Sequence, residues 1–130
     1  MYVDWGDGSV EKFNGNISVL VHTYSSTGTF HAKVSNNISS FAACGNNSSW
    51  YGTTTHNRYV FKNMLKTGSH VTNMPANAFY FCAALSSLDF LSSCYTSIAS
   101  LPNYAFYYCQ GIKTLSSLPA RIKSLGSNCF

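Results

Sequence analysis

Three segments of this chain repeat one short pattern, and this repetition restricts the fold more than any other feature. Residues 74–79 read MPANAF, residues 101–106 read LPNYAF and residues 125–130 read LGSNCF, so the spacings are 27 and 24 residues. Repeats of this length are typical of solenoid proteins, in which each unit buries its apolar side against the next unit. The spacing therefore predicts a stack of short repeats.

Aligning the repeats places apolar side chains at equivalent positions. The aligned sets are Phe79 with Phe106 and Phe130, Cys82 with Cys109, Leu85 with Ile112, and Leu88 with Leu115. We expect each set to form a ladder of side chains, with one step about 4.8 Å from the next. Equivalent cysteines then become buried thiols, because parallel side chains rarely reach the torsion angle of a disulfide. Cys129 is expected to point inward as well.

Composition narrows the classes of function. Charged residues make up only 9% of the chain, so Ser, Thr, Asn and Tyr must cover much of the surface. The net charge of +4 is uneven, since residues 1–35 carry −1 and residues 36–130 carry +5. The basic residues of 36–130 are compatible with an anionic partner. The simpler interpretation is that these lysines are exposed to water on a serine-rich face. Without a run of consecutive basic residues, the sequence argues against nucleic-acid binding.

The first residues combine a short strand with a tight turn. The pair Asp7-Gly8 supplies the backbone conformation that a hairpin needs. Asp4 and Asp7 are expected to accept hydrogen bonds from nearby backbone amides, and Trp5 is expected to fill the core beneath the turn. Alternating or β-rich patterns predict further strands in residues 17–24, 29–34 and 59–61.

This N-terminal part resembles the PKD (polycystic kidney disease) domains. The resemblance is carried by VDWGDG at residues 3–8, HTY at 22–24 and GTF at 28–30. It implies an immunoglobulin-like β-sandwich of an extracellular protein, in which Tyr24 anchors a strand through its hydroxyl. Because the sequence opens where a middle strand of such a sandwich would lie, we expect the unit to be incomplete at its N-terminus. We expect its open face to be covered by the following repeats, by a neighbouring copy or by further sequence.

The repeated part is similar to the BspA-type leucine-rich repeats. The pattern of that family, Ala-Phe-x-x-Cys-x-x-Leu-x-x-Leu, starts at Ala78 and, with Ile112 at one leucine position, again at Ala105. The resemblance covers residues 71–130 and implies a surface or secreted protein of the kind that includes bacterial adhesins. A PKD-like unit followed by such repeats also resembles surface proteins of gut bacteria and related phage sequences.

No pattern that supports catalysis is present. The sequence lacks His-Glu-x-x-His, Gly-x-Ser-x-Gly, phosphate-loop and dinucleotide-binding patterns. The cysteine spacings do not provide a four-ligand zinc set. Calcium needs six to eight oxygen ligands, and only Glu11 lies near Asp4 and Asp7 to assist. We therefore predict a protein that is not an enzyme and has no cofactor or metal.

These observations give one prediction for the whole chain. The chain is predicted to be mainly β. Residues 1–38 form a partial PKD-like or immunoglobulin-like β-sandwich unit, residues 39–70 form a linker and first irregular rung, and residues 71–130 form a short leucine-rich-repeat solenoid.

The predicted function is a non-catalytic extracellular or cell-surface adhesion module that binds a protein or glycan. The alternative is a structural subunit of an assembly, such as a phage virion fibre or decoration protein or an extracellular filament, with copies meeting at both ends. No membrane span is predicted. The candidate partner contacts are Tyr80, Tyr107, Tyr108, Lys113, Arg121 and Lys123.

Overall fold

The structure, a computed structural model, describes residues 1–15, 20–35, 62, 71–115 and 118–130. The chain divides into an N-terminal unit, Met1–Asn37, and a repeat unit, Ile38–Phe130. The described residues form five short strands and one 3-10 helix, with no α-helix among them. None of the helical structure in these ranges is long and apolar enough to pass through a lipid bilayer. The mainly β class predicted from the sequence is thus confirmed for this part of the chain.

The N-terminal unit contains a three-stranded antiparallel sheet. Strand β1 spans Tyr2–Asp4, β2 spans Val10–Lys12 and β3 spans Lys33–Ser35, in the order β2-β1-β3. Because side chains alternate across a strand, Val3 is fully buried while Tyr2 is 49% exposed. The sheet therefore has one interior face and one face in water.

Two of the predicted strands differ from those observed. Residues 20–24 are not a strand, and the second strand is instead Val10–Lys12. Glu and Lys are poor strand formers, so its composition gave no signal, but the turn at Asp7-Gly8 returns the chain directly onto β1. The third strand begins only at Lys33. Residues 17–19 and 59–61, and nearly all of 39–70, lie outside the described residues.

The repeat unit is joined by hydrogen bonds between residues one repeat apart. Strands β4, Ser100–Leu101, and β5, Ser124–Leu125, pair in parallel with Leu101 opposite Leu125, so their register equals the 24-residue spacing of the sequence. Outside this pair, the Phe79 amide donates to the Ala105 carbonyl at 2.8 Å and the Phe106 amide to the Cys129 carbonyl at 2.7 Å. Successive repeats are thus tied together through their backbones.

The predicted phenylalanine ladder forms the centre of this unit. Phe79 and Phe106 are 0% and 1% exposed, and their rings stack with centroids 5.2 Å apart. Phe106 in turn stacks on Phe130 at 5.7 Å. The 3-10 helix, Asp89–Ser92, adds Phe90 and Leu91 to this core. The rest of the core consists of Val71, Met74, Ala78, Cys82, Leu85, Leu88, Cys94, Tyr95, Leu101, Ala105, Cys109 and Cys129.

The described cysteines of the repeat unit are buried thiols, as the alignment predicted for Cys82 and Cys109. Cys82, Cys94, Cys109 and Cys129 form no disulfides. The Cys109 thiol donates a hydrogen bond to the Phe79 carbonyl at 2.9 Å, which adds a link between two repeats. Cys129 points inward and is 4% exposed, and this burial raises the pKa of its thiol to about 11.

Candidate interaction surface

Five aromatic side chains form a continuous cluster on the surface of the repeat unit. We call this cluster the aromatic ladder, and its members are Tyr80, Phe81, Tyr104, Tyr107 and Tyr108. Tyr104 and Tyr108 are 37% and 49% exposed, and the other three are partly buried. An exposed cluster of tyrosines offers a large contact area with few rotatable bonds, as in many binding surfaces.

The repeat places these rings on top of one another. Tyr80 stacks on Tyr107 with centroids 5.3 Å apart, and Phe81 stacks on Tyr108 at 4.6 Å. Each pair is separated by one 27-residue repeat, and the Phe81 amide donates to the Tyr107 carbonyl at 2.8 Å. The same backbone ties that stack the buried phenylalanines therefore also order the surface rings. Tyr104 joins the cluster by an edge contact to Tyr107 at 5.5 Å.

Three members of the ladder have left-handed backbone conformations. The φ angles are 60° at Phe81, 55° at Tyr104 and 57° at Tyr108. Asn77 and Asn128, which align with Tyr104, are left-handed too, at 61° and 50°. Asn tolerates this conformation, whereas a bulky residue in it is uncommon and adds about 1–2 kcal/mol of backbone energy.

Stacking offsets this backbone cost. An aromatic pair contributes about 0.5–1.5 kcal/mol beyond its buried area, which is of the same size as the left-handed penalty at one residue. Across the ladder, the stacked and edge-on contacts therefore offset part of the backbone cost and hold the rings in fixed positions. A pre-ordered surface of this kind loses little conformational entropy on binding.

The structure separates the predicted basic contacts into two groups. Lys113 and Lys123 are exposed. Arg121 instead points into the repeat unit, where its guanidinium donates to the backbone carbonyls of Leu91 and Cys94. These carbonyls lie at the end of the 3-10 helix, so Arg121 holds that segment in place. We assign it to stability rather than to partner contact.

A shallow apolar groove lies beside the end of the ladder. Its volume is about 440 Å³, and Tyr108, Ile112, Leu115 and Phe130 contribute to its lining together with Lys113. Leu115 and Phe130 are 50% and 41% exposed, whereas the aligned Leu88 and Phe106 are buried. The groove therefore displays apolar positions that lie in the core one repeat earlier.

The turn of the N-terminal unit has the hydrogen bonds expected from its sequence. Asp4 accepts from the Gly6 amide at 2.9 Å, and Asp7 accepts from the Ser9 amide at 3.0 Å. Trp5 is buried, and its carbonyl accepts a hydrogen bond from the Tyr24 hydroxyl at 3.0 Å. The capping role of both aspartates and the packing role of Trp5 are confirmed.

His22 makes the most polar arrangement in this unit. Its Nε2 lies 2.8 Å from Asp7 Oδ2, and its Nδ1 lies 3.1 Å from Glu11 Oε1. The contact with Asp7 is the main cause that raises the pKa of His22 above its ordinary value. The contact with Glu11 raises it further, whereas burial acts in the opposite direction. Hydrogen bonds from Ser9 and then from His22 hold the pKa of Asp7 far below its usual range.

This arrangement does not provide the parts of a hydrolase site. Ser9 Oγ lies 3.4 Å from His22 Nε2, but its hydroxyl donates to Asp7, so the proton of Ser9 is not directed at the ring. Among the described residues, no three His, Cys, Asp or Glu side chains are arranged to hold a metal ion.

Sequence reasoning missed two members of the ladder and both carboxylate contacts of His22. Phe81 could have been found because it aligns with Tyr108. Tyr104 had a weaker signal, since the other repeats have Asn at its position. The approach of Glu11 to His22 depends on the unpredicted strand β2.

The regular backbone bonds and stacked rings of residues 71–130 define a repeat protein. Residues 38–130 match the family model for the BspA type leucine rich repeat region, in six copies. The chain belongs to this family. Comparisons with curated proteins and with solved structures gave no match. Proteins with BspA-type repeats are typically non-catalytic surface proteins, which suggests a protein-interaction module here.

Proposed function

We propose that this chain is a non-catalytic, extracellular adhesion module at the cell surface, which binds a protein or glycan through the aromatic ladder. The observation that carries this proposal is the pair of surface stacks, Tyr80 on Tyr107 and Phe81 on Tyr108, in which Tyr108 is 49% exposed. The exposed lysines Lys113 and Lys123 would add contacts to acidic groups of the partner.

The repeats would serve as a rigid support for this surface. We propose that they continue as one solenoid, because the inter-repeat bonds at Phe79 and Phe106 have the same form and link equivalent positions. In such a stack, side chains at equivalent positions lie in straight rows. A row of this kind can contact an extended partner at several points at once.

The N-terminal unit would be PKD-like and would present or orient the repeats. This interpretation is supported by the Asp-capped turn, the buried Trp5 and the hydrogen bond from the Tyr24 hydroxyl to the Trp5 carbonyl. An immunoglobulin-like sandwich uses a tyrosine hydroxyl in a similar way to fasten a strand to neighbouring backbone. We assign no catalytic role to Asp4, Asp7 or His22.

A structural subunit of a larger assembly is the second candidate. It is favoured by the groove, where Leu115 and Phe130 are 50% and 41% exposed. A second copy of this chain could cover that surface, as in a virion fibre, a decoration protein or an extracellular filament. Sedimentation in dilute solution separates the candidates, because a monomer at micromolar concentration would contradict the assembly.

The adhesion proposal is tested by removing ladder rings without disturbing the backbone. Tyr104→Asn and Tyr108→Asn place a residue that tolerates the left-handed conformation at each strained position. The probes are an array of neutral and acidic glycans and a panel of immobilised extracellular proteins. We expect the unmodified chain to bind at least one probe and the double variant to lose about tenfold or more in affinity for it.

The matched control is Ser92→Asn, an exposed position on the 3-10 helix outside the ladder. It should bind as the unmodified chain does, and all variants should keep their circular dichroism spectra. Equal binding by the folded double variant would contradict the ladder as the binding surface. Absence of binding to every probe would contradict the adhesion proposal for these partner classes.

A further inference from the structure

One imidazole joins two parts of the N-terminal unit that are far apart in sequence. Asp7 lies in the turn between β1 and β2, Glu11 lies in β2, and His22 belongs to the irregular segment 20–24. His22 also stacks on Trp5, with centroids 4.6 Å apart and 8° between the planes. The side chain of His22 is 11% exposed. A single residue thus holds segment 20–24 against the hairpin at two polar points and one apolar face.

Both polar contacts need the protonated ring. Ionised carboxylates only accept hydrogen bonds, whereas a neutral imidazole has one donor and one acceptor. With a neutral ring, one of the contacts to Asp7 and Glu11 would set a lone pair against a carboxylate oxygen. The imidazolium donates at both nitrogens, and its positive charge attracts both carboxylates.

We propose that His22 is a pH-sensitive clamp, which as the imidazolium fastens segment 20–24 to the β1–β2 hairpin and on deprotonation releases it. This device goes beyond the adhesion function, since it concerns the N-terminal unit and not the aromatic ladder. The described groups that face the ring are Asp7 and Ser9 from the turn, Glu11 from β2, Trp5 directly after β1, and Tyr24, which makes an edge contact with ring centroids 4.7 Å apart.

The direction of the pH effect follows from the shifts in the pKa values of His22 and Asp7. The pKa of His22 is raised above 6.5, so its contribution to stability is complete below about pH 6.5 and is lost as pH rises through the raised value. The pKa of Asp7 is lowered from 3.8, so its contribution is present above about pH 3.8 and is lost only as pH falls through the lowered value. The clamp is therefore closed between these limits and opens on the alkaline side.

The test follows the unmodified full chain by nuclear magnetic resonance from about pH 5 to about pH 9. The ring nitrogens of His22 report its protonation, and amide hydrogen exchange of residues 20–24 reports release of the segment. We expect His22 to titrate above 6.5. After correction for the intrinsic pH dependence of exchange, we expect exchange in 20–24 to rise about tenfold with the same midpoint.

Two variants test separately whether the pH response comes from the His22 ring and its carboxylate contacts. His22→Phe retains an aromatic ring against Trp5 but cannot titrate, so exchange in 20–24 should become independent of pH. Glu11→Gln removes one of the two charges and should lower the midpoint of His22. His31→Phe, at an exposed position of the same unit, is the matched control and should leave the pH response of residues 20–24 unchanged.

Three results would overturn the clamp. They are a His22 midpoint at or below 6.5, corrected exchange in 20–24 that does not change with pH, and a pH response that persists in His22→Phe. If His22→Phe does not fold, the titration of the unmodified chain and of Glu11→Gln still decides the question.

Discussion

The ring of Phe79 lies on the ring of Phe106, with 5° between their planes and 5.2 Å between their centroids. The two residues are 27 positions apart and occupy the same place in successive repeats. Around this buried pair, the backbone bonds from Phe79 to Ala105 and from Phe81 to Tyr107 keep the surface rings stacked as well. The interior of the repeat unit therefore determines the geometry of its exposed aromatic surface.

Replacing Phe106 should destabilise the repeat unit strongly. Its ring stacks on Phe79 on one side and on Phe130 on the other, so Phe106→Ala leaves a cavity between two rings. We expect a loss of about 3–5 kcal/mol in the free energy of unfolding, measured by chemical denaturation. Phe130→Ala is the matched control, because Phe130 is 41% exposed and its truncation should cost less than about 2 kcal/mol. Equal losses would contradict the central position of Phe106.

A methyl group at Gly111 should also destabilise the repeat unit. A Cβ atom there would overlap the backbone carbonyl oxygens of Ala83 and Leu85 in the preceding repeat, and these cannot move as a side chain can. Gly111→Ala should lower the free energy of unfolding by about 1–3 kcal/mol. Gln110→Ala, at the exposed neighbouring position, should change it by less than about 0.5 kcal/mol. An unchanged melting temperature for Gly111→Ala would show that the repeats are not so closely apposed.

Loss of the positive charge should destabilise the folded protein at Arg121 but not at Lys123. Arg121→Met removes the donors to the Leu91 and Cys94 carbonyls and should cost about 1–3 kcal/mol of stability. Lys123→Met, at an exposed position two residues later, should leave stability nearly unchanged. Thermal unfolding of both variants checks this. The assignment of Arg121 to stability fails if both variants melt with the unmodified chain.

The Cys129 thiol should react slowly in the folded protein. Burial raises its pKa from 9.0 to about 11, so the thiolate fraction at about pH 8 falls by about 100-fold relative to the unfolded chain. Labelling with iodoacetamide, followed by mass spectrometry of the peptide that carries Cys129, measures this directly. The same peptide from denatured protein gives the reference rate. Labelling at the reference rate under native conditions would mean that Cys129 is not buried.

The sequence predicted the phenylalanine stack because the repeat alignment alone identifies Phe79 and Phe106 as equivalent. It also predicted the inward position of Cys129 and the capping by Asp4 and Asp7, since turn chemistry is local. These features depend either on repetition or on residues two positions apart, and both can be read along a chain.

Other features depend on contacts that no local pattern encodes. Glu11 and His22 meet only because β2 folds back on β1, although Glu and Lys do not favour strands. Phe81 and Tyr104 adopt left-handed conformations that aromatic residues do not prefer, so composition gives no warning of them. The inward direction of Arg121 follows from carbonyl groups about a full repeat earlier, which a charge count cannot locate.

Amide hydrogen exchange at Phe79, Phe81 and Phe106 tests the stacked repeats most directly, because each of these amides donates to a carbonyl in the following repeat. We predict that all three exchange at least about 1,000-fold more slowly than the same residues in an unfolded chain. Exchange at unfolded rates while the chain keeps its native spectrum would contradict the stack, and with it the ordered aromatic ladder.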